Sequence, residues 1–240
     1  MIYQWILAAI VLFIPALAGI AATKQFTVGS MLGISLFGTL LYYLAHILPL
    51  SAPVIWTILI LCACITIAAV ILRKKQKKKI TIDRYALVIT ILAFILFAII
   101  GSKLLVEHAD GLYTGILNAY GDLGWHTALI TEIADAKMLP VQDPIFAGTT
   151  LTYPFLSDFI SSTMLIIGSY LAPSVDIPAM IIIPITMLLL YQFGKLYGAS
   201  RTAGIIVMLL FLFGGATFGW IRIFSDFQIS NQTLGYFITH

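Results

Sequence analysis

Hydrophobic positions in this chain come in long unbroken runs. Residues 58–72 read Ile-Leu-Ile-Leu-Cys-Ala-Cys-Ile-Thr-Ile-Ala-Ala-Val-Ile-Leu, apolar on every face of a helix. A membrane-spanning β-strand would instead alternate apolar and polar residues. Runs of this kind at this length predict helices that cross a bilayer, for which about 20 apolar residues are needed. Segments of this character lie at about 3–22, 28–49, 54–72, 85–106, 155–172, 178–194 and 203–223. The first lacks a positively charged leader region, so it reads as a span and not as a signal peptide. The fifth is the most polar, because Ser157, Asp158, Ser161, Ser162 and Thr163 occupy its first half. It reads as a full span or as a helix that begins in a water-filled cavity. The predicted fold is all-α: a polytopic transmembrane helical bundle of about seven spans, with a long external loop carrying an amphipathic surface helix.

Composition agrees with this reading. Of the 240 residues, 61% are hydrophobic and 10% charged, against about 45–50% and about 25% in soluble domains. A soluble globular enzyme, a disordered chain and a secreted disulfide scaffold are excluded. Cys62 and Cys64 lie two apart inside an apolar run. On a helix they point in different directions and read as packing residues.

Charge is distributed unevenly. Seven of the 13 basic residues (Arg73, Lys74, Lys75, Lys77, Lys78, Lys79 and Arg84) fall in 73–84, and seven of the 10 acidic residues fall in 107–158. Lys and Arg in short loops mark the cytoplasmic side, and a basic run there also meets anionic headgroups. The loop 73–84 is therefore expected in the cytoplasm of a multi-pass cell-membrane protein. Counting spans puts the N-terminus outside, Lys24 inside, the loop 107–154 outside and Arg222 at the inner end of the last span. Lys195 and Arg201 break the pattern, because seven spans leave their loop outside; a non-spanning 155–172 would remove the conflict. Trp5, Tyr42, Tyr43 and Trp56 fall near the expected outer interface as anchors. His46, near the end of the second span, reads as a structural interface residue.

The stretch 107–154 is the one long polar segment, and long ordered connections tend to be functional. Within it, 123–138 fits a short amphipathic helix stopped by Pro140. Trp125, Leu129, Ile130, Ile133 and Ala136 share one face; Thr127, Thr131, Glu132 and Asp135 lie mostly opposite. Such a helix is expected on the outer membrane surface, with Trp125 dipping into the headgroups. Asp122 at its start reads either as a helix N-cap or as a catalytic base, and the two roles can coexist. Asp143-Pro144 and Gly148 read as turns, and Asp143 alone is a weak metal signal. His108 and His126 make no zinc spacing with either cysteine. No phosphate-binding glycine loop, serine nucleophile elbow or nucleic-acid motif is present. Asp158 and Ser162, four apart, form a polar stripe at the mouth of the next segment. An ionisable group at that depth usually faces a cavity, or sits at the interface as a helix-start residue.

Residues 85–223 resemble the start of the catalytic module of GT-C type membrane glycosyltransferases, a superfamily that includes protein O-mannosyltransferases and lipid A aminoarabinose transferases. The resemblance is carried by Gly121-Asp122, His126, Ile133-Ala134, Pro140, Asp143-Pro144-Ile-Phe-Ala-Gly148 and Leu151-Thr-Tyr-Pro154 leading into a hydrophobic run. Leu210-Phe-Leu-Phe-Gly-Gly-Ala-Thr-Phe-Gly219 looks like the glycine-bearing span of some relatives. The resemblance implies a lipid bilayer partner, a sugar donor on a polyprenyl phosphate in the outer leaflet, and no nucleic acid. It implies Asp122 as the acid that deprotonates the acceptor hydroxyl, with His126, Asp143, Tyr153 and Asp158 toward the substrates. Where many relatives carry a second acid this chain has Leu123, and Leu151-Thr152-Tyr153 replaces a Glu-Lys pair, so no metal or other cofactor is assigned. Lys137, Lys195 and Arg201 are the basic candidates for a departing phosphate.

The domain reading is a three-span accessory unit (1–72), the basic loop (73–84) and the start of a GT-C-like catalytic module (85–240). Relatives of this kind carry more spans, so the chain is expected to be the N-terminal portion of a longer polypeptide, inactive alone. The alternatives are a transporter or flippase, for which Pro184 would break a span, and a non-catalytic membrane scaffold subunit.

Overall fold

Inside hydrocarbon, a backbone N–H or C=O without a partner costs several kcal/mol. An apolar run therefore closes its hydrogen bonds within itself, as a helix. In the computed structural model the described residues are 2–72, 84–115 and 120–213. Their helices are α1 (Ile2–Thr23), α2 (Phe26–Ala45), α3 (Ala52–Leu72), α4 (Arg84–Gly101), α5 (Tyr120–Ala136), α6 (Leu156–Ile166), α7 (Leu171–Tyr197) and α8 (Arg201–Phe213). A two-stranded hairpin, β1 (Val106–His108) with β2 (Gly111–Tyr113), follows α4. The basic run 73–83, the glycine-bearing residues 214–219, Arg222 and the polar tail after it lie outside the described residues.

Among the described residues, five helices are long and apolar enough to cross a membrane: α1, α2, α3, α4 and α7. They mark the chain as a membrane protein. The segment 155–172 is not one of them. It yields α6, 11 residues long, a rise of roughly 16 Å against about 30 Å of hydrocarbon. Gly168 ends it in the left-handed region (φ +99°), while the Ser169 N–H bonds back to the Met164 carbonyl, a Schellman stop. The next helix then begins at Leu171, ahead of the 178 that hydropathy marks.

The polar half of α6 is buried within protein: Asp158, Ser161, Ser162 and Thr163 are all under 7% exposed. The Ser162 and Thr163 hydroxyls donate to the Phe159 and Ile160 carbonyls at 2.7 and 2.6 Å. Their hydrogen-bonding capacity is met inside the helix, so this half packs despite its low hydropathy.

The chain divides into two compact units, neither of them a single stretch. One holds residues 1–81 and 121–181. There α1 packs on α2 and α3, and α6 packs on α1 and α2. The α1–α2 crossing is backbone on backbone: a Cβ on Gly33 would strike the Pro15 carbonyl, the close approach that small residues permit between membrane helices. The Ser169 hydroxyl ties the α6–α7 turn to the Gln4 carbonyl at 3.1 Å. His46 ends α2, its Nδ1–H donating to the Tyr42 carbonyl at 3.0 Å.

The other unit holds 82–120 and 182–240. Its informative contact is at Tyr85, where the Arg84 and Arg201 guanidinium carbons lie 5.0 and 5.1 Å from the ring centre. Arg201 therefore sits at the Arg84 end of α4, while the β1–β2 hairpin follows the opposite end.

Within the stretch 107–154, residues 137–151 are tied to α2 and the turn after it and to one another. The Lys137 carbonyl accepts from the Leu50 N–H at 2.7 Å and the Ala45 carbonyl from the Leu139 N–H at 2.9 Å. Residues 141–151 close on themselves, Leu151 N–H to Val141 and Asp143 N–H to Thr149. The amphipathic helix forms at 120–136, but its apolar face does not meet lipid as the pattern suggests. Leu129, Ile130 and Ile133 are at most 2% exposed, and the Trp125 ring lies edge-on to Tyr153, 4.4 Å between centroids. Ala136, expected on that face, is exposed at the helix end.

Candidate functional site

Asp122 and His126 are four residues apart on α5, one turn along the same face. Because α5 begins at Tyr120, Asp122 lies in its first turn and not at the N-cap. Asp158 occupies the first turn of α6. Two helix starts thus direct carboxylates at one imidazole.

The His126 Nδ1 lies 3.0 and 3.1 Å from the two Asp158 carboxylate oxygens. With Asp158 ionised the carboxylate only accepts, and Nδ1–H is then the donor. On the other edge, Nε2 lies 3.9 Å from Asp122 Oδ2. That is ion-pair range, beyond a hydrogen bond. Side-chain exposure rises steeply along this line, from 8% at Asp158 through 27% at His126 to 85% at Asp122. The cluster is a path from the protein interior to the surface.

Burial pushes the Asp158 carboxyl above its ordinary range, and the adjacent His126 pulls it back by charge and hydrogen bond. The nearby Asp122 charge adds a smaller upward push. Burial dominates because the carboxylate has surrendered most of its water.

Tyr153, from the segment before α6, stands beside both Trp125 and His126, its centroid 6.1 Å from the imidazole. It also lines an open groove of about 290 Å³ with Thr39, Tyr42, Tyr43, Pro154, Phe155 and Leu156. Tyr42 reaches this wall by a tilted contact with Phe155 and an edge contact with Phe159. Its ring is half-buried. The volume is near the lower end for small-molecule sites.

Asp122, His126, Tyr153 and Asp158 are therefore neighbours. Asp143 is used locally: its Oδ1 accepts from the Ile145 and Phe146 N–H groups at 2.8 and 3.1 Å, which builds a turn. Asp176 escaped the sequence reading. It is fully buried on α7, and its signal in the sequence is an acid just ahead of the run at 178–194, in a helix that begins seven residues before that run. Comparison with known proteins adds no relative: no family model, curated protein or solved structure matches the chain.

Proposed function

We propose that this protein is a membrane glycosyltransferase that moves a sugar from a polyprenyl-phosphate donor to an acceptor hydroxyl, with Asp122 as the base. The observation that carries the reading is the Asp122–His126–Asp158 cluster, an exposed carboxylate backed by an anchored imidazole and set beside an aromatic groove. A lipid-linked donor stays in the bilayer, so its reactive head must meet protein groups at the bilayer margin. The acceptor oxygen attacks the anomeric carbon, its proton passes to Asp122, and the carbon–oxygen bond to the lipid phosphate breaks with its electron pair. Tyr153 and the groove would hold sugar or acceptor beside this carboxylate.

The span count supports an external site. With α6 not crossing, the chain returns to the basic side through α7, and Lys195 and Arg201 join the side of Arg84. The conflict with the distribution of basic residues disappears. The cluster and residues 137–155 would then face outward.

The test is sugar transfer from a polyprenyl-phosphate donor by the full chain in lipid nanodiscs. Asp122→Asn should lower kcat by about 10²–10⁴-fold, the usual worth of a general base, with unchanged membrane insertion. Wild-type rates in that variant would remove Asp122 from the mechanism.

A second reading, a proton-coupled transporter, is favoured by two buried acids, Asp158 and Asp176, since ionisable groups in such helices often mark ion paths. Substrate uptake into proteoliposomes that is lost in Asp176→Asn would favour it.

A further inference from the structure

We infer that His126 is the proton carrier of this cluster and that Asp158 is its positioning residue, so that a proton taken at Asp122 is passed on to His126 Nε2. This rests on the reading that Asp122 receives the acceptor's proton. It adds where the proton goes and what prepares the imidazole to take it.

The geometry supplies the reason. Asp158 engages Nδ1 through both oxygens, which fixes the neutral ring as the Nδ1–H tautomer. The lone pair is then on Nε2, the nitrogen that faces Asp122. An imidazolium formed there lies between two carboxylates, and its charge is compensated on both edges. Imidazole is also the side chain whose ordinary titration falls between pH 5 and 8, a better proton store near neutrality than a carboxylate in water.

Among the described residues, the titratable groups around His126 are Asp122 on its own helix, Asp158 on α6 and the Tyr153 phenol before α6. Asp158 is the buried member of the set and Asp122 the solvated one, so their influence on the ring differs. A buried neighbouring charge is screened little, an exposed one strongly.

The step balances. The proton leaves the acceptor O–H for Asp122 as the new carbon–oxygen bond forms, then moves from the Asp122 carboxyl to Nε2. His126 becomes doubly protonated while Asp158 keeps its negative charge and holds Nδ1–H. Return of the proton to water through the exposed Asp122 resets the pair.

The experiment uses the full chain with ¹⁵N-labelled histidine in nanodiscs, without any sugar donor. His126 signals are assigned by their loss in His126→Gln. Above its titration, His126 should be found with Nδ1 protonated and Nε2 bare. In Asp158→Asn, which keeps the shape and removes the charge, the pH at which the His126 ring changes state should fall by about one unit or more. Asp122→Asn should move it less. A neutral ring protonated on Nε2, or a midpoint unmoved in Asp158→Asn, would overturn the assignment. Should sugar transfer also be measured, the acidic limb of its pH profile should move with the ring in Asp158→Asn. Absence of any transfer with the ring behaving as stated would instead defeat the glycosyltransferase reading alone.

Discussion

At the scale of single residues, burial decides what each carboxylate can do. Asp122 and Asp158 have the same chemistry and the same place in a helix's first turn. One keeps its water and can meet a substrate; the other has lost it and can only hold a neighbour. The exposed hairpin offers a simpler pair. The Tyr113 phenol donates to Asp110, which holds that carboxyl below its ordinary range and raises the phenol. By linkage, the Asp110 contribution is present above about pH 4 and is lost as pH falls through the lowered value. The Tyr113 contribution is present below about pH 10 and is lost as pH rises through the raised value. In Asp110→Asn, one tyrosine should therefore ionise at lower pH than in the parent, visible as an earlier component in the phenolate absorbance titration. Superimposable titrations would show that the bond does not form in solution.

At the scale of elements, α5 and α6 are the pieces that hydropathy describes least well, and for one reason. Both carry polar side chains along helices that the protein covers. The i, i+4 spacing of Asp122 and His126 is legible in the sequence because it is local. The partner that gives His126 its tautomer lies 32 residues away, and no local pattern points to it. The apolar face of α5 is legible too, but the sequence does not say whether lipid or protein will cover it. Because protein does, truncation there should be costly. Ile133→Ala should lower unfolding free energy by about 2–5 kcal/mol, whereas Asp135→Ala on the exposed side should change it by about 0.5 kcal/mol or less. Thermal unfolding in one detergent decides this. Equal, small effects would mean that the Ile133 face lies on lipid.

At the scale of the whole molecule, whether α6 crosses decides the side on which everything after it lies. A seven-span count leaves Lys195 and Arg201 on the side opposite the basic run. Five candidate spans with a non-crossing α6 would put the α7–α8 connection on the Arg84 side, in keeping with the Tyr85 ring that Arg84 and Arg201 share. Cysteine accessibility tests it in a background lacking Cys62 and Cys64, both free thiols. A cysteine at Leu112 or Thr149 should react with an impermeant maleimide from outside intact cells, and one at Gly198 only after permeabilisation. Labelling of all three from one side would refute this topology, and the reverse pattern would invert the site.

By itself, the sequence determined that the chain is helical and membrane-embedded, where most of its long helices lie, and that its acids gather in one stretch. Those are consequences of composition and of spacing within a turn or two, where each residue's neighbours are set by the chain. Only the tertiary structure decided that α6 stops short of a crossing, that α5 is covered by protein, and that Asp158 rather than Asp143 joins His126. Those outcomes depend on which distant surfaces meet, and burial, which sets the chemistry of each carboxylate, exists only once they have met.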